Sequence, residues 1–392
     1  MSARPAIERE LLAWMGEPDR AEWRADDPRF ERLALELFAF QFEANPAYGR
    51  FCAARDRTPA DVRSWRDVPA VPAGAFKELE LRCFPAEATQ HVFRTSGTSG
   101  AGGQRGALHL DTLALYEASL RPTLRRLLFP DVTAAGEGGA ATTIRVLAPS
   151  PEELPDSSLS HMFGCLLDDL GDEHSGYDVV GGELRSDALA RALDDACNEG
   201  RPVALCGTAF AFVHLLDGFA DQGRRFACAP GSRIMETGGF KGRSRELSRD
   251  TLHAALHETL GIPPGHIVNQ YGMTELGSQF YDSVVVDPAG PRRKLGPPWA
   301  RVRLVDPETG CDAEGDAPGL VVIHDLANTG SVAAIQTADL GRWIDAAEDA
   351  EHQRGFEVLG REPGAEARGC SIAADVMLGG DARADERAPR LG

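Results

Sequence analysis

The feature that most constrains this chain is a repeated order. A short apolar run leads into a Gly- or hydroxyl-rich loop, and a helical stretch follows. TTIRVLAP (142–149) ends in a Ser/Pro loop, RPVALCGTA (201–209) passes into a helix, and SRIMETGG (232–239) ends in Gly-Gly. HIVNQYG (266–272) ends in Thr-Glu. LSRDTLHAALHETLG (247–261) predicts a capped helix closed by Gly261. RVRLVD (301–306) and GLVVIHDL (319–326) predict strands around a DPETG turn. Such repetition argues an α/β fold, sheets flanked by helices. In open α/β sheets, ligands gather beyond the carboxyl ends of the strands. Residues 1–60 read as helical, and DVPAVPAGAFKE (67–78) reads as an ordered connector. In DTLALYEASLRPTLRRLLF, Asp111 or Thr112 is expected to cap a helix that Pro122 kinks or ends.

One loop stands apart. FRTSGTSGAGGQRG (93–106) mixes glycines with hydroxyl side chains and holds no carboxylate. Glycines let backbone N–H groups turn toward an anion, and Ser and Thr add donors. The loop suits phosphate; its plain alternative is a mobile surface loop. The sequence contains no Gly-Lys pair, so the Walker pattern is absent. No G-x-S-x-G elbow points to an esterase.

Charge narrows the partners. The chain has 41 basic and 60 acidic residues, a formal charge of −19. Nucleic acids and anionic membranes favour basic surfaces, so neither is expected. The charged N-terminus lacks a signal-peptide pattern. The most apolar segment, Val203 to Leu216, is too short to span a bilayer. Eight cysteines show no C-x-x-C spacing, which fits a cytoplasmic protein with reduced thiols.

The phosphate loop resembles that of the adenylate-forming superfamily at Thr95, Ser96, Gly97, Thr98, Ser99 and Gly100. Other motifs of that family follow in order. NQYGMTE (269–275) resembles its Y-G-x-T-E segment, TADLGRW (337–343) its T-G-D segment, and LGRE (359–362) its hinge. Ala338 stands where Gly is usual, which asks for a different local turn. Within the superfamily, VPAGAFKE, SSLSHMF, LCGTAFAF and GGFKGRSREL resemble the acyl-protein synthetases of luminescence fatty-acid reductase complexes.

The resemblance implies that ATP and a carboxylic acid, of fatty type, form an acyl-adenylate. The acyl group then passes to a cysteine thiol. Thr274 would donate to the α-phosphate, and Glu275 would help hold Mg²⁺. Tyr271 and Gly272 would border adenine, as would Gly238 and Gly239. Asp339 would bind the ribose hydroxyls, and Arg361 would contact ribose or phosphate. Lys241 would neutralise phosphate or substrate carboxylate. His161 would line the acyl or carboxylate pocket. Each has a structural alternative: Tyr271 as a core aromatic, Glu275 as a helix-terminal carboxylate, Arg361 in a surface ion pair, Lys241 simply solvated, His161 as a satisfied structural histidine.

Residues 1–336 read as the ATP- and acid-binding domain, and 337–392 as a short C-terminal segment. Only 31 residues follow Arg361 and none is lysine. The C-terminal domain with its catalytic lysine, common in the superfamily, is therefore not expected here. Cys370 follows a glycine and lies near Arg368, which favours the reactive thiolate. It is the expected acyl acceptor, and the other seven cysteines read as structural. An acyl reductase or carrier protein is the implied partner. Two other readings stand beside this one. The first is a ligase that passes its adenylate to coenzyme A or a carrier. The second is a non-catalytic scaffold retaining the fold. His253 and His257 lie at helical i, i+4 spacing beside Glu258 without the HExxH order, so they read as a wet helix face.

Overall fold

The computed structural model describes residues 3–17, 27–95, 105–134, 142–238, 247–346, 354–361 and 377. Helices α1 (Arg4–Met15), α2 (Asp27–Ala44) and α3 (Pro46–Ala53) open the chain. Strand β1 (Val71–Pro72) and helix α4 (Ala75–Glu78) precede a hairpin of β2 (His91–Arg94) and β3 (Ala107–Leu110). Then come α5 (Ala114–Leu128), α6 (Pro130–Ala134), β4 (Thr143–Leu147), α7 (Ser158–Leu170) and β5 (Gly176–Tyr177). A small hairpin follows, β6 (Val179–Val180) with β7 (Glu183–Leu184). Helix and strand next alternate through α8 (Ser186–Glu199), β8 (Val203–Thr208), α9 (Ala209–Asp221), β9 (Arg233–Thr237), α10 (Arg249–Leu260) and β10 (Ile267–Tyr271). The remaining strands are β11 (Phe280–Asp282), β12 (Lys294–Leu295), β13 (Ala300–Val305), β14 (Gly319–Asp325), β15 (Ala334–Ile344) and β16 (Gly355–Arg361).

Local chemistry sets several boundaries. Ser157, Thr208 and Ser248 cap α7, α9 and α10 by accepting backbone N–H groups. Gly261 ends α10 at φ 72°, as the sequence predicts. Helix α5 departs from expectation, because it runs unbroken through Pro122. An interior proline costs about 3 kcal/mol. Against that, α5 buries Leu115, Leu120, Leu124, Leu127 and Leu128, each worth about 1.5–3 kcal/mol. Nor does Asp111 cap this helix; it takes a bidentate pair of hydrogen bonds from Arg4, both 2.7 Å. Thr112 Oγ1 accepts from the Ala114 N–H instead, at 3.1 Å.

The large sheet runs β13-β14-β15-β16-β12-β11-β10-β9-β8-β4-β5, with β1 pairing β15. Strands β4, β8, β9 and β10 are parallel, and the β10-to-β13 side is antiparallel. Successive residues of the parallel strands serve opposite faces. Val146, Cys206, Met235 and Val268 pack with Leu124 of α5 and Phe163 of α7. Leu147, Leu205, Ile234 and Ile267 pack with Leu193, Phe212 and Leu256 of α8, α9 and α10. The division expected at 336/337 falls inside β15, whose Gln336 and Leu340 both pair with β14.

The expected wet face of α10 changes at one residue. His253 is buried, not wet: its Nε2 meets Glu236 Oε1 at 3.1 Å. His257 is exposed, as expected, and its Nδ1 meets the Ile262 carbonyl at 2.9 Å. The packing of α10 onto β9 sets the burial of His253, because β9 ends with a carboxylate under that helix face. Among the remaining cysteines, Cys52, Cys83, Cys165 and Cys206 are buried, but Cys311 is exposed in a turn and serves no core.

Candidate functional site

The site lies where β10, the turn after it, the β2–β3 hairpin and the β15–β16 pair meet. Tyr271 ends β10, and its hydroxyl donates to Asp339 Oδ2 at 2.8 Å. Its ring packs edge-on to Phe356, centroids 5.9 Å apart, so the core-aromatic role and the polar role coexist. Burial, then the Asp339 carboxylate, push the Tyr271 phenol well above its ordinary range. The hydroxyl therefore stays a donor.

Asp339 lies on β15, not in the turn that Ala338 was expected to require. The segment is extended, and the Asp339 N–H donates to Thr337 Oγ1 at 3.1 Å. Thr337 is itself fixed by donating to the Val321 carbonyl at 2.9 Å. Asp339 registers opposite Arg361 on β16, with Arg361 Nε 3.9 Å from Asp339 Oδ1. That separation is an ion pair rather than a hydrogen bond. A carboxylate has about four acceptor directions, so Asp339 can still receive hydroxyl donors.

The second half of the site adjoins the hairpin. Thr95 follows β2, and its N–H donates to the Gly106 carbonyl at 2.9 Å. The Gly106 N–H returns to Thr95 Oγ1, also 2.9 Å. Arg105 braces this base through Asp156 at 2.8 Å. A side chain at Gly106 would place its Cβ 3.4 Å from Glu275 Oε1 and 3.2 Å from Thr95 Cγ2. The bare glycine thus lets a buried carboxylate stand against the loop's root. Glu275 is held from behind by Asn328 Nδ2, which donates to its carbonyl at 2.8 Å. Thr274 is half-buried on the same turn. No helix begins at Glu275, which removes the helix-terminal alternative. Gly272 leaves room for Gln270, whose Nε2 lies 2.6 Å from where a Cβ would stand. Gly238 takes φ 78°, with open space beside it, at the end of β9.

This donor set fits the groups the resemblance implies. An oxygen-only carboxylate beside a Gly/hydroxyl loop suits a hard cation such as Mg²⁺ with phosphate. A carboxylate braced by a phenol suits a diol. Ser96, Gly97, Thr98, Ser99, Gly100, Gly239, Lys241 and Cys370 lie outside the described residues. His161 lies on α7, where its ring packs on Phe93 of β2 at 5.6 Å and its Nε2 meets Glu117 Oε1 at 3.1 Å.

Beneath the site is a polar framework that sequence reasoning missed. Glu236 Oε1 accepts from Asn269 Nδ2 at 2.7 Å and faces His253. Lys294 Nζ donates to the Asn269 carbonyl at 2.7 Å and to Asp282 Oδ1 at 2.8 Å. Asp282 Oδ2 accepts from the Asn269 N–H at 3.0 Å and from Arg292. Burial raises the Asp282 carboxyl, yet Lys294 and Arg292 outweigh it and leave it below its ordinary range. Burial drives the Lys294 ammonium lower. Gln336 of β15 and Asn328 were likewise not singled out. A lone lysine after two arginines was the one visible signal for Lys294.

Comparison with known proteins bears on the fold and on sequence likeness. The family model "Acyl-protein synthetase, LuxE" matches residues 187–378. The long-chain-fatty-acid–luciferin-component ligase of Vibrio harveyi is 23% identical over 336 residues, 84% of this chain and 83% of that one. Its counterpart in Aliivibrio fischeri is 22% identical over 335 residues, again 84% and 83%. Among solved structures, an open 2-hydroxyisobutyryl-CoA ligase in complex with 2-HIB-AMP and CoA superposes with TM-score 0.61 at 16% identity, covering 88% of this chain and 79% of that one. The same ligase in its postadenylation state gives TM-score 0.59 at 17% identity, covering 88% and 72%. Among the described residues, no helix is long and apolar enough to cross a membrane. The chain has the fold of the adenylate-forming ligases and, in sequence, resembles the acyl-protein synthetases.

Proposed function

We propose that this chain activates a carboxylic acid of fatty type with ATP and passes the acyl group to a cysteine thiol. The observation that carries the reading is the joining of Tyr271, Asp339 and Arg361, distant in sequence, on one polar edge. Glu275 lies four residues from Tyr271, against the root of the phosphate loop. In this reading Asp339 receives the ribose hydroxyls, with Tyr271 and Arg361 fixing its orientation. Gly238, Gly239 and Gly272 leave backbone space beside the base. Thr95, Ser96, Gly97, Thr98, Ser99 and Gly100 hold phosphate oxygens, and Thr274 donates to the α-phosphate. Lys241 balances the negative charge there.

Glu275 would hold Mg²⁺, which when bound neutralises phosphate charge and polarises the α-phosphorus. The substrate carboxylate oxygen attacks that phosphorus, and the bond to pyrophosphate breaks. The Cys370 thiolate then attacks the acyl carbonyl carbon and AMP leaves with the electron pair. The thiol proton goes to solvent. The V. harveyi and A. fischeri relatives are named for long-chain fatty acids, which supports the acid class. The stretch after Arg361, which contains Cys370, would handle the acyl group. An acyl reductase or a carrier protein would take the product, in the cytoplasm.

The test is acid-dependent exchange of labelled pyrophosphate into ATP, with Mg²⁺, across acids of increasing chain length. Exchange peaking with long chains is expected, together with hydroxylamine-sensitive acyl label that Cys370→Ser removes while exchange persists. Folded protein silent with every acid would overturn the reading in favour of a scaffold. Turnover that requires coenzyme A would replace its transfer half with thioester formation on that carrier.

A further inference from the structure

Among the described residues, one grouping brings three metal-ligating side chains together: Glu117 on α5, and His161 and Cys165 on α7. His161 and Cys165 are one helical turn apart and share a face. His161 Nε2 lies 3.1 Å from Glu117 Oε1 and 3.7 Å from Cys165 Sγ. All three ligand atoms fall within 4.8 Å of one another. Zinc bonds of about 2.0–2.3 Å in a tetrahedron put neighbouring ligand atoms about 3.3–3.6 Å apart. The two separations from His161 Nε2 are already close to that spacing, and the third needs a shift of about 1 Å at most.

The surroundings also fit an ion. Arg121 donates to Glu117 Oε2 at 3.3 Å, which turns Oε1 toward the histidine. Arg121 also bonds Asp169, so its own charge is answered next door. Cys165 is 5% exposed, whereas Glu117 and His161 are half-buried. The sulfur is thus shielded from solvent while one side stays open to it. As a plain hydrogen-bonded trio, the cluster is weakly knit: both contacts fall on one ring nitrogen, and the sulfur contact is long.

We propose that Glu117, His161 and Cys165 bind one zinc-type divalent ion, with the fourth position open to water. A sulfur, nitrogen and oxygen set selects a borderline-soft metal over magnesium or calcium. On binding, a sulfur–metal bond forms and the Cys165 thiol proton is released to water. The ion clamps α5 to α7. Because His161 also packs against Phe93 of β2, the clamp sits under the hairpin that carries the phosphate loop. The inference stands apart from the proposed ligase activity.

The test uses the full chain, stripped with chelator, dialysed and titrated with Zn²⁺ by calorimetry and with Co²⁺ by absorbance. One equivalent should bind, and Co²⁺ should give a thiolate-to-metal charge-transfer band. Cys165→Ser should remove that band, and His161→Ala should weaken zinc binding by at least about tenfold. Glu117→Gln, on a partly exposed residue, serves if either variant fails to fold, and should also weaken binding. Absence of saturable binding overturns the proposal. So does a stoichiometric site that all folded variants retain, because the ligands would then lie elsewhere.

Discussion

Strands β9 and β10 carry two polar regions that share neighbours but differ in kind. In the framework, Glu236, His253, Asp282 and Lys294 are buried around a half-buried Asn269, and its charges face one another. At the rim, Tyr271 at the end of β10 meets Asp339 of β15 and Arg361 of β16, and Asp339 keeps acceptor capacity. The difference teaches that depth along the strand, more than residue type, separates support from chemistry. A buried carboxylate whose acceptors are filled can only hold the fold. A braced carboxylate at the rim can meet a ligand.

The largest expected effect falls on the framework. Asp282→Ala strands the Lys294 ammonium in the core, and breaking such a pair costs about 3–5 kcal/mol. Urea unfolding should show the loss at neutral pH. Its pH dependence has a defined sign. The folded-state carboxyl is held below its ordinary value of 3.8. Its stabilising contribution is complete above that value and fades as pH falls through the lower folded-state value. The gap between wild type and variant should therefore narrow only under strong acid. A gap that closes already at neutral pH would break the contrast, since Asp282 would then not be the charged partner.

A smaller effect is expected at the rim. Tyr271→Phe removes one hydrogen bond to a carboxylate, worth about 1.5 kcal/mol in positioning Asp339, or roughly tenfold in pyrophosphate exchange. Its unfolding midpoint should hardly move, because the ring contacts with Phe356 and Phe280 remain. Equal losses of exchange and stability would make Tyr271 framework, like Asn269 one turn of strand below.

The rim was largely legible in sequence and the framework was not. Thr95, Tyr271, Glu275 and Asp339 sit in short motifs whose order along the chain survives. The framework residues come one at a time from β9, α10, β10, β11 and β12, and no shared pattern links them in sequence. His253 shows why periodicity failed. Leu252, Leu256 and Leu260 define the buried stripe of α10, and His253 lies next to it. Only the Glu236 carboxylate across the interface makes its burial favourable. Pro122 failed for a related reason, since the apolar face of α5 outweighs a local penalty that sequence rules treat as decisive. Alternation of strand and helix, by contrast, is a local property repeated many times, so the α/β architecture could be read before any contact was known.

The most direct test of the central claim is equilibrium binding of a non-hydrolysable fatty acyl-adenylate analogue to the intact chain and to Asp339→Ala. If Asp339 with Tyr271 grips the ribose hydroxyls, the wild-type chain should bind the analogue and the folded variant should lose at least about 2 kcal/mol, roughly thirtyfold. Equal affinity in the two proteins, or no binding by a folded wild-type chain, would contradict the account.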